Sequence, residues 1–186
     1  MVTDREKATF WARSLLERLD WVLLDTETTG LSPQDEIVQI AVLAPDGEVL
    51  LDTLIRPTCS IPVEATFIHG ITDVDVEDAP VFPEIFDKFR QIIAGKSVVI
   101  YNAVFDMRLI RQTLARYDKS ISAIEDEQVE CAMLQYSAWC GELWPNGGYK
   151  WQKLRGGDHT ALGDCRATLA VIRKMAGENP EETPYE

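Results

Sequence analysis

The sequence of 186 residues is 46% hydrophobic and 26% charged, which is ordinary for one folded domain and argues against disordered or fibrous classes. No apolar run reaches the roughly 20 residues that a membrane-spanning helix needs, and the first residues lack the apolar core of a signal peptide. The formal net charge of −13 argues against a protein that holds long nucleic acid by bulk electrostatics.

The cysteines favour a cytoplasmic protein, and the lack of a long apolar run favours one with no membrane association. They show no CxxC spacing, and two histidines cannot complete a convincing zinc set with them. We therefore expect reduced, mostly buried thiols, as is usual in the cytoplasm. The four are Cys59, Cys131, Cys140 and Cys165.

The first predicted elements are a helix followed by three strands. Residues 4–19 form an amphipathic pattern whose apolar face combines Phe10, Trp11, Leu15, Leu16 and Leu19. The apolar run 21–24 predicts a buried strand, which gives way to the polar residues 25–30. Strands over 36–43 and 48–55 flank the turn signal at 45–47, so these two strands are expected to pair in antiparallel fashion.

Helices dominate the rest of the chain. The periodicity predicts helices over 81–94, 104–117, 131–144 and 161–175, with one further buried strand over 97–101. The absence of repeats and of a composition break indicates one α/β domain built on a mixed sheet.

Three divisions of the chain are predicted. An N-terminal amphipathic helix occupies 1–19, the main domain 20–176, and an acidic tail 177–186. Because the tail carries four acids and no base, we expect it to be disordered. The four acids are Glu178, Glu181, Glu182 and Glu186.

Four carboxylates stand where predicted elements begin or end. Asp25 and Glu27 are two residues apart at the end of the first strand, so both point to one face. Asp106 and Asp164 each lie near the start of a helix. Taken singly, such acids commonly cap turns or stabilise helix starts.

Taken together, the four acids favour a metal site. If one sheet gathers them, their mutual repulsion calls for divalent cations, and oxygen ligands suit Mg²⁺ or Mn²⁺. Two such ions about 4 Å apart form a known clamp for displacement at phosphorus. His159, five residues before Asp164, is then placed to take a proton from the attacking water.

Four short motifs in order carry a resemblance to a known family. They are DTETTGL at 25–31, HGIT at 69–72, NAVFD at 102–106 and HTALGD at 159–164. Together they resemble the DEDDh, or DnaQ-like, family of 3′→5′ exonucleases, and the match extends from about residue 20 to 175. The histidine class is indicated because Thr160 occupies the position of the tyrosine that marks the sister class.

The resemblance implies a ribonuclease H-like fold with a five-stranded mixed sheet flanked by helices. It implies that two Mg²⁺ or Mn²⁺ ions are held by four acids, with His159 as general base, and that nucleoside 5′-monophosphates are released from a free 3′ end. The four acids are Asp25, Glu27, Asp106 and Asp164.

The same resemblance suggests contacts to the terminal nucleotide of single-stranded DNA or RNA. They involve Thr28 through its main chain, Leu31 as an apolar wedge, His69 and Phe105. Core packing is the alternative role for Leu31 and Phe105, and His69 could equally be a surface loop histidine.

The segment before the last helix departs from the family pattern in its density of aromatic and basic residues. These side chains could extend the substrate path or could be core and loop anchors. Glu130 stands where many relatives have aspartate, and we assign it no catalytic part. The aromatic and basic residues of this segment are Tyr136, Trp139, Trp144, Tyr149, Trp151, Lys150, Lys153 and Arg155.

Two other functions are alternatives to the exonuclease. One is a non-catalytic module of the same fold that binds a protein such as a polymerase or a repair complex. The other is a calcium buffer, which the absence of a twelve-residue calcium loop disfavours. The sequence leaves open whether the protein is a monomer or a homodimer.

Overall fold

The computed structural model of the protein describes residues 2–117 and 129–178, which form a five-stranded sheet with helices on both faces. The strand order is β3-β2-β1-β4-β5, with antiparallel pairing on the β2 side of β1 and parallel pairing on the β4 side. The predicted five-stranded mixed sheet is therefore confirmed. The strands are β1 (Trp21–Thr28), β2 (Ile37–Leu43), β3 (Val49–Leu54), β4 (Ser97–Ile100) and β5 (Val129–Cys131).

The helices of the described residues include two that the sequence pattern did not reveal. Both are short and lie between β3 and α4, where helices of about one or two turns leave little periodicity to detect. The helices are α1 (Asp4–Leu16), α2 (Val63–His69), α3 (Asp73–Val76), α4 (Phe82–Ile93), α5 (Ala103–Ala115), α6 (Ala132–Cys140) and α7 (Ala161–Ala176).

Strand β1 lies at the centre of the sheet and separates two hydrophobic layers. Its even-numbered residues Val22 and Leu24 pack with α4 and α5, whereas Trp21 and Leu23 pack with α1, α6 and α7. This division follows from the period-2 alternation of a strand that is buried on both faces. A register shift interrupts the pairing with β2 between Glu27 and Thr28, where the strand ends.

Helix α1 differs from its predicted form in length and in the face it buries. The helix ends at Leu16, and its buried residues include Ala8, Ala12 and Leu15. Phe10 is 72% exposed and Leu19 83% exposed, so placing these two on the apolar face was wrong. Two of the buried residues are alanines, which a count of large apolar residues misses.

Two further element boundaries moved for local reasons. Strand β1 continues beyond its apolar run to Thr28 because its main chain keeps pairing with β2. Helix α6 ends at Cys140 instead of 144, since Gly141 takes the left-handed conformation with φ of 75° that closes a helix.

The remaining composition-based expectations have mixed outcomes. All four cysteines are free, but only Cys165 is buried and Cys59 is exposed, so the expectation of mostly buried thiols was wrong. None of the helices in the described part of the chain combines the length and apolar composition needed to cross a bilayer. Apart from Gly177 and Glu178, the predicted acidic tail lies outside the described residues, and the domain boundaries stay predictions.

Candidate active site

Three of the predicted acids meet at the carboxyl end of β1. Asp25 and Glu27 project from β1 towards the α7 layer, and Asp164 lies in the first turn of α7. One carboxylate oxygen from each residue lies within 4.8 Å of those of the other two. We call Asp25, Glu27 and Asp164 the acid cluster. The strand alternation and the docking of α7 on β1 bring its members together.

Asp106 reaches the same edge from the opposite layer of the fold. It lies in the first turn of α5, is buried, and is not one of the three acids with closely spaced oxygens. Its Oδ1 accepts hydrogen bonds from the Thr26 main-chain N–H at 3.1 Å and from the Thr26 hydroxyl at 2.8 Å. Asp106 is therefore fixed to the residue between Asp25 and Glu27. A role for Thr26 was not predicted, although its position between two candidate ligands is a usable signal.

The electrostatics of the site disfavour four ionised carboxylates. Burial, reinforced by the neighbouring acids, raises the pKa of Asp25 well above its usual range and the pKa of Glu27 to about 8. Burial likewise raises the pKa of Asp106 to about 7, against the opposing effect of its hydrogen bonds from Thr26. Burial also raises the pKa of Asp164. Within residues 2–117 and 129–178, no Lys or Arg forms an ion pair with any of the four.

His159 lies on the exposed loop that leads into α7. Its main-chain N–H donates to Asp164 Oδ1 at 3.3 Å, and its φ of 60° makes it the one non-glycine residue with positive φ in the described chain. This hydrogen bond, and then the charge of the His159 imidazole, lower the pKa of Asp164 and partly offset the effect of burial. His159 therefore stands beside the acid cluster at its solvent side. Such a backbone conformation is uncommon outside glycine and asparagine, and it is often found at functional sites.

The start of α7 is held in place by contacts that the motifs did not reveal. Thr160 caps the helix, since its hydroxyl accepts the Gly163 N–H at 3.0 Å. Asp158 accepts from both the N–H and the hydroxyl of Thr160, at 3.0 and 2.7 Å. Gln39 of β2 accepts the Ala161 N–H at 3.1 Å. As the polar residue in the otherwise apolar strand β2, Gln39 could have been noticed from the sequence.

The predicted substrate-contacting residues lie around the acid cluster in different environments. Leu31 is 77% exposed, which excludes core packing for its side chain, whereas Phe105 is half-buried against the α4 and α5 layer. His69 is buried at the end of α2, so the alternative of a surface loop histidine is wrong. Thr28 is buried at the end of β1. The nucleotide contacts of all four stay predictions.

His69 fixes the main chain that follows the acid cluster. Its Nδ1 accepts the Ile71 N–H at 3.0 Å, so its Nε2 carries the proton and donates to the Thr28 carbonyl at 3.1 Å. With both ring nitrogens engaged, His69 can position Thr28 directly.

The loop that carries Leu31 is fastened to the outer side of α5. Arg108 donates to the Leu31 carbonyl at 3.2 Å, and Gln112 donates to the Ser32 carbonyl at 3.1 Å. The main chain of the loop is thus fixed while the Leu31 side chain stays exposed.

Glu130 and three of the clustered aromatic residues act as structural anchors. Glu130 accepts the Trp11 indole N–H at 2.6 Å and so ties β5 to α1. Tyr136 stacks on Trp139 at a centroid distance of 5.9 Å, and the Tyr149 hydroxyl donates to Asp4 at 2.7 Å. The anchor role is therefore observed for these aromatics.

Comparison with known proteins supplies the family. The family model RNase_T, described as exonuclease, matches residues 22–172, a range that includes the acid cluster, Asp106 and His159. Exonuclease CP81 of Escherichia phage 186 is 40% identical over 171 residues, which cover 84% of this chain and 88% of the phage protein. DNA polymerase III subunit epsilon of Rickettsia prowazekii is 37% identical over 100 residues, which cover 50% of this chain and 44% of that subunit.

Solved structures share the fold. E. coli exonuclease I in complex with a dT13 oligonucleotide has a TM-score of 0.69 at 16% identity, covering 87% of this chain and 42% of that one. Exonuclease X in complex with 5′ overhanging duplex DNA has a TM-score of 0.54 at 27% identity, covering 87% of this chain and 96% of that one. The likeness to exonuclease I confirms the predicted ribonuclease H-like fold.

The match to the family model extends over most of the chain, and the relationship to the phage exonuclease extends over nearly all of that protein. This chain spans less than half of the Rickettsia subunit and of exonuclease I. The four motifs and the comparisons agree, and the chain belongs to the RNase_T family of DnaQ-like exonucleases.

Proposed function

We propose that the protein is a metal-dependent 3′→5′ exonuclease that acts on single-stranded or frayed ends of DNA or RNA and releases nucleoside 5′-monophosphates. The observation that carries this proposal is the acid cluster, whose three oxygens lie within 4.8 Å of one another beside the exposed His159. A module that only binds protein has no need for this arrangement.

The donor set fits two Mg²⁺ or Mn²⁺ ions. Asp25, Glu27 and Asp164 offer oxygen ligands at close spacing, and Asp106 brings a further carboxylate to the same edge. Burial and the neighbouring acids disfavour the ionised form of these carboxylates. Bound divalent cations would supply the positive charge that stabilises the ionised form. Such ions would neutralise charge on the scissile phosphate and favour ionisation of water.

The protein groups would divide the remaining work among themselves. His159, exposed beside Asp164, would accept the proton of the attacking water as general base. Leu31 would lie against the last base, and the Thr28 main chain, held by His69, would align the terminal nucleotide. The negative charge of the chain fits an enzyme that grips a few terminal nucleotides without a long basic groove.

The related proteins support this proposal without deciding its details. Exonuclease I has been solved with single-stranded oligonucleotides and exonuclease X with an overhanging duplex, so both ends of the proposed substrate range occur in proteins of the same fold. The Rickettsia relative is named a polymerase subunit, and a polymerase partner for this chain would be a separate proposal.

A labelled-oligonucleotide assay tests the proposal directly. With Mn²⁺ or Mg²⁺, a 3′-terminal label should be released at once as a mononucleotide, while a 5′ label should appear in a ladder that shortens one nucleotide at a time. EDTA should stop both reactions. Matched single-stranded DNA, RNA and recessed duplex define the substrate class.

Three outcomes of that assay would contradict the proposal. Shortening from the 5′ end would reverse the direction, and internal cuts would indicate an endonuclease. Absence of any metal-dependent release would favour the non-catalytic module of the same fold.

The raised pKa values also predict how metal and pH together affect stability. An acid whose pKa is higher in the folded state binds more protons there than when unfolded, so metal-free stability should fall as pH rises from about 4 towards 8. Divalent cations favour the ionised form and should reverse this loss. At 100 times its dissociation constant, Mn²⁺ should raise the melting temperature near pH 8 by about 5–10 °C, and by less near pH 5.

Thermal unfolding in EDTA and in Mn²⁺ at both pH values measures this effect. Asp46→Asn is the matched control, because Asp46 is an exposed acid in the turn at the opposite end of the sheet. It should behave as the wild type does. An Mn²⁺ effect that is equal at both pH values would show that the acid cluster does not hold the ions.

A further inference from the structure

A row of exposed side chains leads along the segment before His159. Residues 150–155 alternate strictly between half-buried and exposed positions, as an extended chain does. Trp151, Lys153 and Arg155 are the exposed members, and Trp151 is 73% exposed. One aromatic and two cationic side chains therefore share one solvent-facing side, which we call the exposed row.

The half-buried members of the segment fasten this row to the edge of the sheet that carries the acids. The Gln152 carbonyl accepts the Tyr101 hydroxyl at 2.9 Å, and the Gln152 N–H donates to Ser137 Oγ at 3.3 Å. Tyr101 directly follows β4 and lies five residues before Asp106. Leu154 packs against the α1, α6 and α7 layer. The exposed row is thus anchored, by its own neighbours in the chain, to α6 and to the residue that follows β4.

The charges of the row form no ion pair with any residue that the structure describes. In the part of the chain that the structure describes, neither Lys153 nor Arg155 forms an ion pair, although the chain carries 31 acids against 18 bases. Lys150, in contrast, has its Nζ 3.7 Å from Glu142 Oε2 and 5.8 Å from the Trp144 ring centroid. Unpaired cations beside an exposed indole offer the two groups that single-stranded nucleic acid needs, a stacking surface and phosphate contacts.

We propose that the exposed row binds the nucleotides upstream of the 3′ end, with Trp151 stacking on a base and with Lys153 and Arg155 contacting phosphates. This inference rests on the proposed function, since it assigns the path of that substrate. At about 3.3 Å per residue, Trp151 and Arg155 are roughly 13 Å apart along the chain, which spans a few nucleotides of a strand. The row ends four residues before His159, so the nucleic-acid strand would continue from the row to the site of hydrolysis.

Substrate length separates this role from catalysis. For Trp151→Ala we expect KM for an oligonucleotide of about a dozen nucleotides to rise about 5- to 150-fold with kcat little changed, as loss of one stacked base predicts. The rate on a dinucleotide with the same 3′ terminus should stay at the wild-type value, because a dinucleotide is too short to reach the row. Trp151→Phe should restore most of the oligonucleotide affinity.

Binding measured without turnover keeps the two proposals distinguishable. In EDTA, fluorescence anisotropy of a labelled oligonucleotide should show weaker binding by Trp151→Ala. Replacing Lys153 and Arg155 together by glutamine should make the slope of log K against log salt shallower by about 1.4, which is about 0.7 for each lost phosphate contact. This binding measurement tests the exposed row even if the labelled-oligonucleotide assay shows no hydrolysis.

Phe10→Ala is the matched control, because Phe10 is equally exposed but lies on α1 outside the row. Oligonucleotide affinity should be unchanged in this variant. Wild-type binding by Trp151→Ala would overturn the inference, and so would an equal loss of rate on the dinucleotide and the oligonucleotide. Either result would leave the proposed exonuclease activity intact.

Discussion

Replacing Asp25 by asparagine is expected to remove nearly all activity while raising the stability of the metal-free protein. The substitution keeps the shape of the side chain but removes a metal-binding charge, and a loss of about 4 kcal/mol in the transition state lowers kcat by about 10³-fold. The same change relieves the repulsion that Asp106, Asp164 and Glu27 exert on Asp25. In EDTA near pH 8, its melting temperature should therefore exceed that of the wild type.

Two measurements check this prediction together. Release of a 3′-terminal label gives the activity, and thermal unfolding in EDTA gives the stability. Asp46→Asn carries the same chemical change in the distant β2–β3 turn, where it should affect neither quantity. Retention of wild-type activity by Asp25→Asn would mean that Asp25 is not a ligand. A lower melting temperature in EDTA would mean that its charge is compensated by a cation.

The second large effect is expected for His159→Asn. Asparagine tolerates the left-handed backbone that His159 adopts, at φ of 60°, but it cannot act as a general base. The variant should lose about 10²- to 10⁴-fold in rate, the usual contribution of a positioned base. Its stability should stay close to that of the wild type, because the side chain of His159 is exposed.

Calorimetric titration with Mn²⁺ separates the base from the ligands. His159→Asn should bind Mn²⁺ as the wild type does, whereas Asp25→Asn and Asp164→Asn should bind it far more weakly. A loss of Mn²⁺ binding in His159→Asn equal to theirs would show that the histidine is a ligand and not a base. The comparison uses variants of similar side-chain size, so a difference reports chemistry and not packing.

The convergence of the acid cluster could be predicted because it depends on local periodicity and on the order of elements. Asp25 and Glu27 share a face through the alternation of one strand, and Asp164 starts a helix that packs on that face. The antiparallel β2–β3 pair was predicted from the turn at 45–47, and it is confirmed.

Other features depend on contacts between residues distant in sequence, so the sequence could single out a polar residue such as Thr26 or Gln39 but not its partner. Asp106 bonds Thr26 across 80 residues, and Gln39 holds the start of α7 across 122. The buried face of α1 was predicted in part, because Trp11, Leu15 and Leu16 do pack in the core, whereas the buried alanines Ala8 and Ala12 carry no signal in a count of large apolar residues. His69 could not be assigned to a buried position before the fold placed it against Thr28.

The chain order of the site has a consequence for biosynthesis. A ribosome would produce Asp25 well before His159 and Asp164, which belong to the last described helix and its approach. Since α7 covers one face of β1, the site cannot be completed until nearly the whole domain has been translated and has docked. A nascent nuclease of this design would stay unable to cut nucleic acid near the ribosome until its fold is closed.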